Sequence, residues 1–205
     1  WESAGEALKA ADVVIDFSWP ESAVENIRRA FDLQLPVVTG TTGWYNHLPE
    51  VKAWCAKEGH ALFVAANFSI GVNLMLELTA KLAKMLDRFP GYTLSIEEVH
   101  HIHKLDAPSG TAIRIAEAVL ANSGKKKLWL KEASDDPSVL YVASKREGEV
   151  AGIHTLKAES EADRLELRHE LKSRKSLAAG ALLAAEWLQG RKGFFEMKDL
   201  LEWTD

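Results

Sequence analysis

Glu97-Glu98-Val99-His100-His101-Ile102-His103-Lys104-Leu105-Asp106-Ala107-Pro108-Ser109-Gly110-Thr111-Ala112 is the stretch on which the reading of this 205-residue chain turns. It places His100, His101, His103 and Lys104 within five residues of one another. Upstream, Tyr92 to Val99 reads as a strand rich in β-branched and aromatic residues, started by the Pro90-Gly91 turn. Alternation would put His100 and His101 on opposite faces if the strand reaches that far. Downstream, Pro108 ends whatever precedes it, and Ser109 is suited to cap a helix running from Gly110 to about Ala121. The amides of Ser109, Gly110 and Thr111 would then be unpaired and face the same space as the cationic cluster. A helix start beside an ammonium suits a carboxylate or phosphate. His101 and His103 have the same-face spacing of strand metal ligands, but no carboxylate-bearing partner motif follows, so the preferred reading assigns no metal.

On the N-terminal side, Asp12 to Phe17, Leu35 to Thr39 and Ala61 to Ala66 are short apolar runs that read as buried parallel strands. Helices from Pro20 to about Asp32 and from Leu48 to Glu58 alternate with them, which predicts a parallel sheet covered by helices. Ligands bind such sheets beyond the carboxyl ends of the strands, where Gly40-Thr41-Thr42-Gly43 and Ala65 to Phe68 lie. Small residues there let a planar ring approach the backbone. Asp16 is read as structural. Leu74, Leu78, Leu82 and Met85 form an apolar stripe on a long helix ending near Arg88, taken as core.

On the C-terminal side, residues 123 to 137 are polar and read as a loop, with Lys125-Lys126-Lys127 solvated. Strands follow at about Ser138–Ser144, Glu149–Glu159 and Asp163–Leu171, predicting a mixed, mostly antiparallel sheet with one apolar face to cover. An apolar helix from Leu177 to Gln189 closes at Gly190, and Phe194, Phe195, Met197 and Leu200 make an apolar tail.

Composition sets the outer limits. The net charge of −5 argues against a nucleic-acid surface, and the single cysteine, Cys55, suits a reducing compartment. No apolar run is long enough to span a bilayer.

The central motif closely resembles the signature of the dihydrodipicolinate reductases, which act on 4-hydroxy-tetrahydrodipicolinate in the diaminopimelate route to lysine. Val14-Ile15-Asp16-Phe17-Ser18, Gly40-Thr41-Thr42-Gly43, Ala65 to Asn73, and Ser173-Arg174 leading into Ala179-Gly180-Ala181 are similar to the same family in the same order. The resemblance implies an α/β fold: a partial Rossmann-like parallel-sheet nucleotide domain, 1–68, completed by 175–205, and an α+β mixed-sheet substrate and oligomerisation domain, 69–174. It implies His100 as acid/base and Lys104 as proton donor. It assigns His101, Ser109, Gly110 and Thr111 to the substrate carboxylates, and Gly40, Thr41, Thr42, Ala65, Ala66, Asn67 and Phe68 to NADH or NADPH. It further implies a cytoplasmic homotetramer with a small dicarboxylate substrate and neither nucleic acid nor membrane as partner.

Glu97 and Glu98 read as structural, with one of them able to tune an imidazole, and Asp106 as orienting Lys104 or the turn. The family opens with a strand, glycine loop and helix. This chain opens at Trp1 in a short helical pattern with no G-x-G-x-x-G, so it reads as lacking the first βαβ unit, with weak nucleotide affinity expected. The rival readings are a catalytically weak dicarboxylate-binding relative and a zinc hydrolase built on His100, His101 and His103.

Overall fold

The structure is a computed structural model describing residue 8 and residues 10–202; the opening pattern around Trp1 lies outside the described residues. In chain order its elements begin β1 (Val14–Asp16), α1 (Pro20–Asp32), β2 (Val37–Thr39), α2 (Leu48–Glu58) and β3 (Ala61–Val64). There follow α3 (Ile70–Leu86), β4 (Thr93–His100), α4 (Gly110–Asn122), β5 (Leu128–Leu130), β6 (Val139–Arg146), β7 (Ile153–Glu159) and β8 (Arg164–Glu170). The last are α5 (Lys175–Leu188), β9 (Gly193–Phe195) and α6 (Met197–Leu200). Two compact units result: Trp1–Ser69 with Lys175–Asp205, and Ile70–Arg174. Among the described residues no helix is long and apolar enough to cross a membrane.

The first unit is a parallel sheet in the order β1-β2-β3-β9. Its central strands are buried along their length, as the uninterrupted Val-Val-Thr and Ala-Leu-Phe-Val runs require of a sheet covered on both faces. Ile27 and Phe31 of α1 join Trp44, Val51 and Leu62 in its core. The tail expected after Gly190 is instead the fourth strand, β9, whose three residues are too few to show periodicity.

The second unit carries a five-stranded sheet in the order β5-β6-β4-β7-β8. Two of its pairings are parallel and two antiparallel, so the mostly antiparallel reading gives way to an even mixture. β5 lies within the stretch read as loop. Lys126 there is buried, its Nζ donating to the carbonyls of Pro137 (2.9 Å) and Val139 (2.7 Å), while Lys125 and Lys127 are exposed as read. Along β4, Leu94 and Ile96 turn into a core with Ile115 and Val119 of α4. The opposite face is charged: Glu97 there sits between Lys145 (2.9 Å) and Lys157 (3.3 Å).

The stripe on α3 is a correction. Leu74, Leu78 and Met85 are 42%, 49% and 65% exposed, whereas Val72, Met75, Thr79 and Ala83 are buried. Leu82 of the stripe still packs against the core; the inward face is spaced 3-4-4 and the expected stripe 4-4-3, so periodicity alone cannot choose between the two.

Candidate active site

Alternation along β4 aims Glu98 and His100 to the same side as Leu94 and Ile96. The strand ends at His100, so alternation does not govern His101. Register supplies their neighbours. Glu98 lies opposite Ser144 of β6 and His154 of β7, and His100 lies opposite Arg146. The Glu98 side chain is wholly buried, and its two oxygens accept from the Ser109 amide at 3.0 and 3.1 Å. Arg146 Nη2 lies 3.4 Å from Oε1, while His100 Nδ1 and His154 Nε2 lie 3.2 and 3.8 Å from Oε2. Burial works against ionisation of Glu98, but the Ser109 donors outweigh it and hold its carboxyl below the usual range.

The loop from His101 to Pro108 is held from β6. Arg146 Nε donates to the Lys104 carbonyl at 3.2 Å and its Nη2 to the Asp106 carbonyl at 2.6 Å. Lys104 Nζ pairs with Asp106 Oδ1 at 2.8 Å, the orienting role read for Asp106. His103 is exposed and pairs with Glu149 instead. His101 is half-buried, with Nδ1 lacking a hydrogen-bond partner.

Ser109 caps α4 as predicted, its Oγ accepting from the Ala112 amide at 3.2 Å. The expectation that its own amide is unpaired is corrected, because that donor is taken by Glu98. Its Oγ also meets His154 Nε2 at 3.1 Å. Gly110, exposed, and Thr111, half-buried, keep first-turn amides that no helical carbonyl can reach. The structure thus gathers Glu98, His100, Ser109, Arg146 and His154 into one cluster, with the His101–Asp106 loop tied to it. His154 and Arg146 escape a sequence reading because β6 and β7 arrive from far along the chain. The one signal was an inward-facing polar residue, His154, alternating with Leu156 and Ala158.

Glu98, His100 and His154 bring donor atoms within 4.8 Å of one another and could in principle hold a metal. Both Glu98 oxygens already accept from the Ser109 amide, and Arg146 faces Oε1, the oxygen away from the two imidazoles. His101 and His103 are not in that group.

The imidazole of His154 is pushed down to about 4, by burial first and by His100 next; burial also lowers His100. Both fold as neutral rings. A histidine with a depressed folded value contributes stability that is complete above its ordinary value of 6.5 and is lost as pH falls towards about 4. Lowering the pH through that window should cost up to about 3 kcal/mol from His154. Thermal unfolding at successive pH values checks this: the melting temperature falls through the window and falls less in His154→Gln. Equal slopes in both chains would contradict it.

In the first unit, Asp16 is the organising residue of the strand ends. Its carboxylate accepts from Thr39 Oγ1 (3.1 Å), Thr41 Oγ1 (3.0 Å) and Asn26 Nδ2 (3.1 Å), which agrees with the structural reading. Trp44 Nε1 donates to the Thr41 carbonyl at 2.8 Å and fixes the loop from below. Gly40 does not offer bare backbone to a ligand. A Cβ there would lie 2.0 Å from the Phe17 ring, and its amide is taken by the Asp16 carbonyl. Thr41, Ala65 and Phe68 are buried, while Thr42 and Ala66 are exposed and Asn67 half-buried at the carboxyl ends of β2 and β3. The exposed pair, with small side chains beside main chain, fits the edge of a flat cofactor ring.

The family patterns described as dihydrodipicolinate reductase, N-terminus and C-terminus match residues 2–68 and 71–201. The 4-hydroxy-tetrahydrodipicolinate reductase of Christiangramia forsetii is 46% identical over 191 residues, covering 93% of this chain and 79% of that protein. The same-named protein of Neisseria meningitidis serogroup B is 35% identical, covering 95% and 74%. The solved structure of dipicolinate-bound dihydrodipicolinate reductase from Paenisporosarcina sp. TG-14 superposes with a TM-score of 0.78 at 24% identity, over 95% of this chain and 75% of that one, and shares the fold. Matched along nearly its whole length by both halves of one family, the chain belongs to the dihydrodipicolinate reductases.

Proposed function

We propose that the chain reduces 4-hydroxy-tetrahydrodipicolinate to tetrahydrodipicolinate, with Lys104 as proton donor and His100 as acid/base. Replacing the 4-hydroxyl by hydrogen consumes one hydride and one proton and releases one water. NADH or NADPH, when bound, supplies the hydride. The first unit's contribution is to seat it, through Thr42, Ala66 and Asn67 at an edge that Gly40, Thr41, Ala65 and Phe68 support from beneath.

In the second unit the twin carboxylates meet the Gly110 and Thr111 amides, the Thr111 hydroxyl and His101, with Ser109 fixing the helix start. The Lys104 ammonium lies on the same loop, where it neutralises substrate charge and gives up the proton. His100 is neutral near neutral pH, so it can take or return a proton without a large mismatch. The observation that carries this reading is the tethering of the Lys104 loop, His100 and the α4 start to one buried carboxylate, Glu98. By family resemblance we also read the working enzyme as a cytoplasmic homotetramer.

The test follows NADPH or NADH absorbance with freshly made substrate. The reading predicts substrate-dependent oxidation that added dipicolinate suppresses. Oxidation indifferent to both compounds would overturn it.

A further inference from the structure

We propose that Glu98 is a positioning residue of the reaction, holding the imidazole of His100 and the Lys104 loop in one reactive arrangement through its charge. This rests on the function proposed above. A wholly buried carboxylate is costly unless it is fully engaged, and three of the groups around Glu98 (Ser109, Arg146 and His100) are, or are tied to, candidate site residues. The Ser109 amide ties it to the helix whose next two amides face the substrate. Arg146 links it to the carbonyls on either side of Leu105, and so to the loop bearing Lys104. His100 Nδ1 lies 3.2 Å away but makes no hydrogen bond, so the carboxylate acts on the ring through its charge. Nε2 faces Gly152 on β7's approach, where a Cβ would come within 3.0 Å.

The charged and titratable groups acting on His100 come from every surrounding element. Glu98 comes from its own strand, Lys104 and Asp106 from the loop, Arg146 from β6 and His154 from β7. Glu98 and Asp106 favour the imidazolium, while Lys104 and Arg146 oppose it.

Glu98→Gln keeps the shape and an acceptor for the Ser109 amide but removes the charge. The expected result is a folded chain whose kcat falls at least about tenfold, with a smaller change in KM. The His100 titration midpoint, read from imidazole nitrogen shifts, should move to lower pH. Arg146→Lys keeps the cation but loses the forked contact to two carbonyls. It should weaken dipicolinate binding while leaving the His100 midpoint nearly in place. A parent chain that binds dipicolinate, beside a folded Glu98→Gln with unchanged kcat and unchanged midpoint, overturns the inference and leaves the proposed function standing. If Glu98→Gln does not fold, Arg146→Lys with parent dipicolinate affinity overturns it. A parent chain without substrate-dependent turnover or dipicolinate binding overturns the function itself.

Discussion

Lys104→Ala is expected to lose about 10²- to 10⁴-fold in kcat, the range for removing a placed general acid. The Lys104 side chain is only 22% exposed and its ammonium is aimed by Asp106 at 2.8 Å, within a loop whose carbonyls Arg146 holds. Loss of Lys104 removes a proton source and also a positive charge of the proposed site, so affinity for the dicarboxylate should fall as well. Lys104→Arg separates these effects. Guanidinium keeps its charge but does not release a proton in the working range. Binding should therefore survive largely intact while turnover stays low. Steady-state kinetics beside dipicolinate titration measures both quantities, and parent turnover in either variant would remove Lys104 from the mechanism.

Gly180→Ala should destabilise the chain, against the usual trend for helix interiors. Helix propensity alone favours alanine by about 1 kcal/mol. Here an added Cβ would lie 1.9 Å from the Phe68 carbonyl oxygen and 2.9 Å from its carbonyl carbon. These are main-chain atoms that cannot rotate aside, so α5 must move off the loop that carries Ala66 and Asn67. Overpacking of this kind costs about 1–3 kcal/mol, which exceeds the gain from propensity. The melting temperature should fall and NADPH binding should weaken with it. A melting temperature equal to or above the parent's would show that α5 is free to shift.

That glycine shows where the sequence could be read and where it could not. Within the apolar run from Leu177 to Leu188 it looks like a mere interruption; its reason is a carbonyl more than a hundred residues earlier in the chain. The alternation of strand and helix through Val64 was legible because buried parallel strands are continuous apolar runs. The cap at Ser109 was legible because its hydroxyl acts on its own helix, bonding the Ala112 amide. The inward face of α3 was not, since Leu74 and Leu78 advertise a stripe as regular as the one that is buried. At the site, the His-Lys motif was local and could be read. The Glu98 partners depend on a register that pairs positions 98 and 154 across two strands, and Glu97 could be told from Glu98 only once that register was known.

The most direct test of the central claim, that the loop bearing His101 and Lys104 converges with the α4 amides on a twin-acid ligand, is an amide and imidazole NMR titration of the chain with dipicolinate, set beside the singly carboxylated picolinate. Saturable shifts are expected at the Gly110 and Thr111 amides and at the His101 ring, with dipicolinate binding more tightly than picolinate. Shifts confined to other residues, or equal affinity for the two acids, would contradict it.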